Sequence, residues 1–146
     1  MKILFILLFL VGCTSNTYYA FFPDNHGSAK VVIDLKNKTL EWSMELRNLD
    51  MITQSHIHCL PSRQVGVSFS TINFNLDIRV KGTVLTPDKG NMCGWLTWED
   101  VKKSIEEGNA IVMVHTYGKP GGATEAKLGT NTILEKSKEI IVPKGY

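Results

Sequence analysis

Residues 55–62 read Ser-His-Ile-His-Cys-Leu-Pro-Ser, which sets two histidines two positions apart with a cysteine directly after the second. A third histidine, His115, closes the apolar run Ala110 to Val114. Along an extended chain, residues i and i+2 point to one face. His56 and His58 therefore project together, and Ile57 projects the other way. By the same rule His115 shares its face with Ile111 and Met113. If the two strands are neighbours, three neutral imidazoles converge, a donor set that suits copper or zinc. His26, in the loop Asp24-Asn25-His26-Gly27, is a candidate fourth ligand. The competing reading makes the same rings interior polar groups that hydrogen-bond to backbone or to the neighbouring run Thr53-Gln54-Ser55. No carboxylate stands close in sequence to orient the rings, and a His-x-His pair alone does not separate the two readings.

Other chemistry is sparse. The sequence has no nucleophile elbow, phosphate loop or dinucleotide fingerprint. Gly118-Lys119-Pro120-Gly121-Gly122 is glycine-rich, but it lies between two strand-like segments and reads as a turn. A phosphate cradle needs a helix N-terminus after it. His58 and Cys59 are adjacent, so on a strand they face opposite ways and do not form a catalytic pair. The expectation is a protein without catalytic residues.

The elements that must position the histidines show strand periodicity. Leu40, Trp42, Met44 and Leu46 alternate with Glu41, Ser43, Glu45 and Arg47. Ile72, Phe74, Leu76, Ile78 and Val80 alternate in the same way with polar residues, which predicts a strand over 72–80. Ala29 to Leu35 predicts another strand, joined to the Trp42 strand through Lys36-Asn37-Lys38, with Asn37 as the left-handed residue. Gln64 to Ser70 adds one with Val65, Val67 and Phe69 inward. Ala110 to Tyr117 is apolar on both faces and predicts a central, doubly covered strand. Ala123 to Leu128 returns, and Ile140 to Val142 is a candidate last edge strand. One helix, about 98–107, interrupts the pattern. Thr97 and Asp100 form a capping box, Trp98, Val101 and Ile105 face a core, and Gly108 ends it. The predicted class is all-β, an antiparallel sandwich with one short helix.

The N-terminus reads MKILFILLFLVGC: one lysine, an apolar run too short to span a bilayer, then Gly12 and Cys13. This is the pattern of an export signal over residues 1–12. Leu10-Val11-Gly12-Cys13 resembles a bacterial lipobox, which implies lipidation at Cys13, a polar tether from Thr14 to Thr17, and a chain held to the membrane by its lipid. Residues 13–24 are then tether and first strand, and residues 25–146 the domain. Thr14, rather than aspartate, after the cysteine resembles the outer-membrane sorting pattern. Of the three cysteines, Cys59 and Cys93 remain. Export predicts a bridge between them, closing a loop of about 35 residues worth roughly 3–4 kcal/mol. The alternative is two reduced thiols, one of them a metal ligand. Sixteen basic and 14 acidic residues leave no basic excess to carry nucleic-acid binding.

Several segments resemble the CHRD (chordin-type) domain family. Gly27 to Asp34 resembles its opening strand and Thr39 to Met44 its second. Ser55-His56-Ile57-His58 resembles the family's Ala-His-Ile-His. Glu107 to Thr116 resembles its strand ending in Val-His-Thr, and Pro120-Gly121-Gly122 resembles the turn that follows. The likeness covers about residues 27–130 and implies an immunoglobulin-like sandwich, secreted or surface-anchored. Cys59 stands where the family usually has glycine, and Ala123-Thr124-Glu125-Ala126 replaces its usual Glu-Ile-Arg-Gly. A looser likeness is to copper–zinc superoxide dismutase, but the chain has too few histidines for two metal sites. Two functional readings follow. One is a non-enzymatic, lipid-anchored envelope module for an unknown protein or small ligand. The other is a periplasmic copper or zinc binder using His56, His58 and His115.

Overall fold

A computed structural model describes residues 16–130. The chain runs β1 (Asn16–Phe21), β2 (Gly27–Asp34), β3 (Thr39–Leu46), β4 (Ile52–Cys59), β5 (Gln64–Phe69), β6 (Ile78–Val84), α1 (Trp98–Glu106), β7 (Ala110–Thr116) and β8 (Thr124–Lys127). Two antiparallel four-stranded sheets form, in the orders β1-β2-β3-β6 and β5-β4-β7-β8. The class is the expected one, an all-β sandwich with a single short helix among the described residues.

Alternation builds the core. On the first sheet Val31, Ile33, Leu40, Trp42, Met44 and Leu46 point inward, and on the second Ile57, Val67, Ala110, Val112 and Val114 meet them. Trp42 stacks on Phe69 across the gap, with ring centroids 4.9 Å apart. The chain changes sheet between β3 and β4, again between β5 and β6, and a third time through α1. Tyr19 and Gly129 exchange backbone hydrogen bonds, tying the β1 edge of one sheet to the chain just past β8 of the other.

The helix forms as its caps dictate. The Thr97 side chain accepts from the Asp100 backbone and the Asp100 side chain accepts from the Thr97 backbone. Trp98, Val101 and Ile105 join the core. Gly108 takes φ +76°, the left-handed stop expected of it. The buried Tyr18 hydroxyl donates to Glu106 and docks the helix against β1.

Cys59 and Cys93 are bridged. The bridge draws the 85–97 connection over the edge of the second sheet, where Trp95 packs on Gly66. A Cβ at Gly66 would lie 2.1 Å from the Trp95 ring, so the indole needs glycine there. Gly66 is also where the β4–β5 register slips, from Ile57 opposite Val67 to His58 opposite Val65.

Three expectations need correction. The strand predicted over 72–80 begins only at Ile78 and continues to Val84. Ile72, Phe74 and Leu76 are exposed instead. The interleaved polar residues account for it: the Asn73 side chain accepts from the Asn75 backbone, a local bond that competes with a ladder, and Asp77 accepts from the distant Asn48 backbone instead of lining a strand. In the β2–β3 turn Lys38, not Asn37, takes the left-handed conformation, at φ +53°. Asn37 caps the turn through Asp34. Asn16 and Thr17, read as tether, pair with Ile33 and Val32 in β1. Residues 1–12, Cys13 and Ile140–Val142 lie outside the described residues.

Candidate metal centre

β4 and β7 are neighbours at the centre of the second sheet. Their register sets His56 opposite Met113, His58 opposite Ile111 and His115 opposite Gln54. The alternation that sends Ile57, Val112 and Val114 into the core sends His56, His58, Met113 and His115 to the outer face. That face is nevertheless closed. His56, His58 and His115 are only 7%, 5% and 6% exposed. Two connections cover them, the β4–β5 turn at Arg63 and the β7–β8 turn at Pro120 to Gly122. The Arg63 side chain also pairs with Glu125 of β8, itself opposite Met113, so an ion pair reaches from one covering turn to the far strand.

The rings are held in a defined way. His58 Nδ1 donates to the Arg63 carbonyl at 2.8 Å, and His115 Nδ1 donates to the Pro120 carbonyl at 2.8 Å. With both Nδ1 atoms protonated, the Nε2 atoms of His58 and His115 carry lone pairs. His56 Nδ1 stands 3.2 Å from His115 Nε2, and the geometry lets it donate there. His58 Nε2 is buried and has no hydrogen-bond partner. The other buried polar side-chain atoms without partners, Trp98 Nε1 and Thr124 Oγ1, belong to the helix and to the core face of β8.

The three rings offer nitrogens that all lie within 4.8 Å of one another. Their centroids are 4.9, 5.4 and 5.7 Å apart. Nitrogens at about 2.0–2.1 Å from one tetrahedral ion stand roughly 3.3 Å from each other. The His56 Nδ1–His115 Nε2 pair already has that spacing at 3.2 Å, and His58 brings its nitrogen within 4.8 Å of both. Protonation is also favourable. Burial first, then the neighbouring His115 and His58 rings, lowers the His56 pKa to about 4. Burial lowers His58 as well, against the opposing pull of the Arg63 carbonyl. Both are neutral imidazoles near pH 7, the form that ligates.

The sequence brought His56, His58 and His115 together correctly. His26 is not with them: it lies at the β1–β2 turn, where its Nδ1 contacts the Arg47 carbonyl. Cys59 is not a ligand, since it faces the core and is bridged to Cys93. The sequence reading missed Arg63, whose carbonyl and side chain both serve the pocket, and Met113 as a lining residue rather than a packing one. The period-2 pattern through Ile111, Met113 and His115 was the available signal for Met113.

The sequence model of the CHRD domain matches residues 19–124. The chain belongs to the CHRD domain family. No curated protein matches it, and no solved structure does. The match spans β1 to the start of β8, so all three histidines lie inside the CHRD domain. CHRD domains are typically extracellular. Among the described residues no helix is long and apolar enough to cross a membrane.

Proposed function

We propose that this CHRD module is a non-enzymatic, lipid-anchored protein of the cell envelope whose histidine pocket holds one copper or zinc ion, with copper favoured. The observation that carries the metal is His58 Nε2, a buried lone pair with no partner among the described residues. In a pocket evolved only to hydrogen-bond its rings, such an atom costs about 1–3 kcal/mol and gains nothing. In a metal site it is the ligand. The two carbonyls that take the Nδ1 protons act as the outer shell that fixes tautomer and ring orientation. The disulfide and the export-like N-terminus agree with an oxidising compartment outside the cytoplasm. Lipidation at Cys13 rests on the lipobox resemblance, and the outer membrane on Thr14.

The test is elemental analysis of protein exported to a periplasm, beside a His56→Ala/His58→Ala variant. Near-stoichiometric copper or zinc, lost in the variant, is expected. Metal below a tenth of stoichiometry, or equal in both proteins, overturns the metal reading. In the same cells a Cys13→Ser chain should leave the membrane fraction, and its recovery there would contradict the anchor.

A further inference from the structure

We propose that Met113 is the fourth donor of this pocket, and that its thioether makes the site one for Cu(I) rather than Zn(II). The inference rests on the reading of the histidine cluster as a metal centre. Met113 lies directly opposite His56 on the neighbouring strand and two residues before His115 on its own. Cβ atoms so opposed stand about 4.5–5.5 Å apart, within reach of a methionine side chain. His58, opposite Ile111, is the diagonal neighbour. The sulfur-bearing side chain thus lies on the same face as the three rings, beside His56 and diagonal to His58.

Its burial has an unusual source. Met113 is 3% exposed, yet it does not belong to the apolar core between the sheets. Met44 packs in that core, and Met51 and Met92 are exposed. What covers Met113 is the turn after β7. Gly122, at φ +123°, lays its backbone over the thioether, and a Cβ there would meet Met113 Sδ at 2.8 Å. The turn that orients His115 through the Pro120 carbonyl therefore also confines the sulfur.

Ligand chemistry then selects the ion. Thioether sulfur is a soft donor that suits Cu(I), whereas zinc takes thiolate, imidazole and carboxylate. Three imidazoles and a thioether are neutral, so a monovalent ion is left with one net charge in a closed pocket and a divalent ion with two. The nearest acids, Glu125 and Asp88, are engaged by Arg63 and by Ser68.

The experiment compares wild type with Met113→Leu in anaerobic titrations of Cu(I) against a chromogenic chelator, and of Zn(II) against a zinc indicator. X-ray absorption at the copper edge is recorded on the wild type. The expected result is a Cu(I) affinity lower by on the order of tenfold or more in the variant. Zinc affinity should be unchanged within about twofold, and the wild-type spectrum should contain one sulfur. Leucine conserves volume, so the variant should fold, and the spectrum decides the matter even if it does not. Equal Cu(I) affinity in both proteins, or a nitrogen-only copper shell, overturns the thioether while leaving the three-histidine site standing. Absence of binding by either ion removes the metal centre itself.

Discussion

On the β1-β2-β3-β6 sheet the outward side chains include Lys30, Glu41, Glu45, Arg79 and Lys81, solvated as the alternation of an antiparallel sheet leads one to expect. On the β5-β4-β7-β8 sheet the outward side chains at the centre are His56, His58, Met113 and His115, all buried. Among the described residues no second sheet lies over them; two short turns and one ion pair do the covering. The contrast teaches that burial on this face is local and costly. Each imidazole put there needs a partner, and the fold supplies carbonyls for two Nδ1 atoms and leaves one Nε2 open. The first sheet presents charged side chains to solvent on that side, while the second hides a polar cluster that packing alone does not require.

The largest effect separates the sheets by their staple. Among the described residues only the second sheet is tied to a long connection by a disulfide, with Cys59 at the end of β4 and Cys93 34 residues on. A Cys59→Ser/Cys93→Ser variant should lose about 3–4 kcal/mol in urea unfolding. On the solvated face, Ser43→Ala should change stability by about 0.5 kcal/mol or less. Losses of similar size in the two variants would mean that the bridge does not constrain the unfolded chain.

The next effect uses pH. His56 has its pKa lowered from 6.5 to about 4, so between those values the unfolded chain binds a proton that the folded one refuses. Stability therefore rises with pH across that window: its contribution is complete above about pH 6.5 and is lost as pH falls toward 4. Metal-free protein should show this loss in its unfolding midpoint, and His56→Gln should flatten the window. On the other sheet Glu45, whose pKa Arg47 and Arg79 lower, is a carboxylate, so its contribution is lost only at more acidic pH. An equal slope in wild type and His56→Gln between pH 6.5 and 4 would contradict the burial of the ring.

The same contrast marks what the sequence could disclose. The buried faces of β2, β3 and β7 and the helix caps follow from periodicity and short-range chemistry, and each was readable. So was the convergence of His56, His58 and His115, because strand geometry fixes which side a residue takes. The stretch from Ile72 to Leu76 misled because strict alternation is identical in a strand and in a loop whose asparagines bond to the backbone. The closure of the histidine face was not readable at all. It depends on where two turns fall in space, and Arg63 is 62 residues from Glu125, a separation that no local pattern records. His26 failed as a ligand for the same reason: a loop histidine carries no register.

The smallest effect sharpens what the covering ion pair is for. Arg63–Glu125 and Arg47–Glu45 are both exposed, and pairs of that kind contribute little to stability because water and salt screen them. Glu125→Gln and Glu45→Gln should therefore leave the unfolding midpoint alike and nearly unchanged. They should differ in metal release. Glu125 stands opposite Met113, and Arg63 carries the carbonyl that orients His58, so loosening their pair frees the turn that holds a ligand. Copper should leave Glu125→Gln faster than wild type, by less than the roughly tenfold typical of a lost outer-shell partner. Glu45→Gln, on the face without the cluster, should release it at the wild-type rate. Identical release from both variants would assign the ion pair to the surface alone and leave the two carbonyls as the whole of the pocket's support.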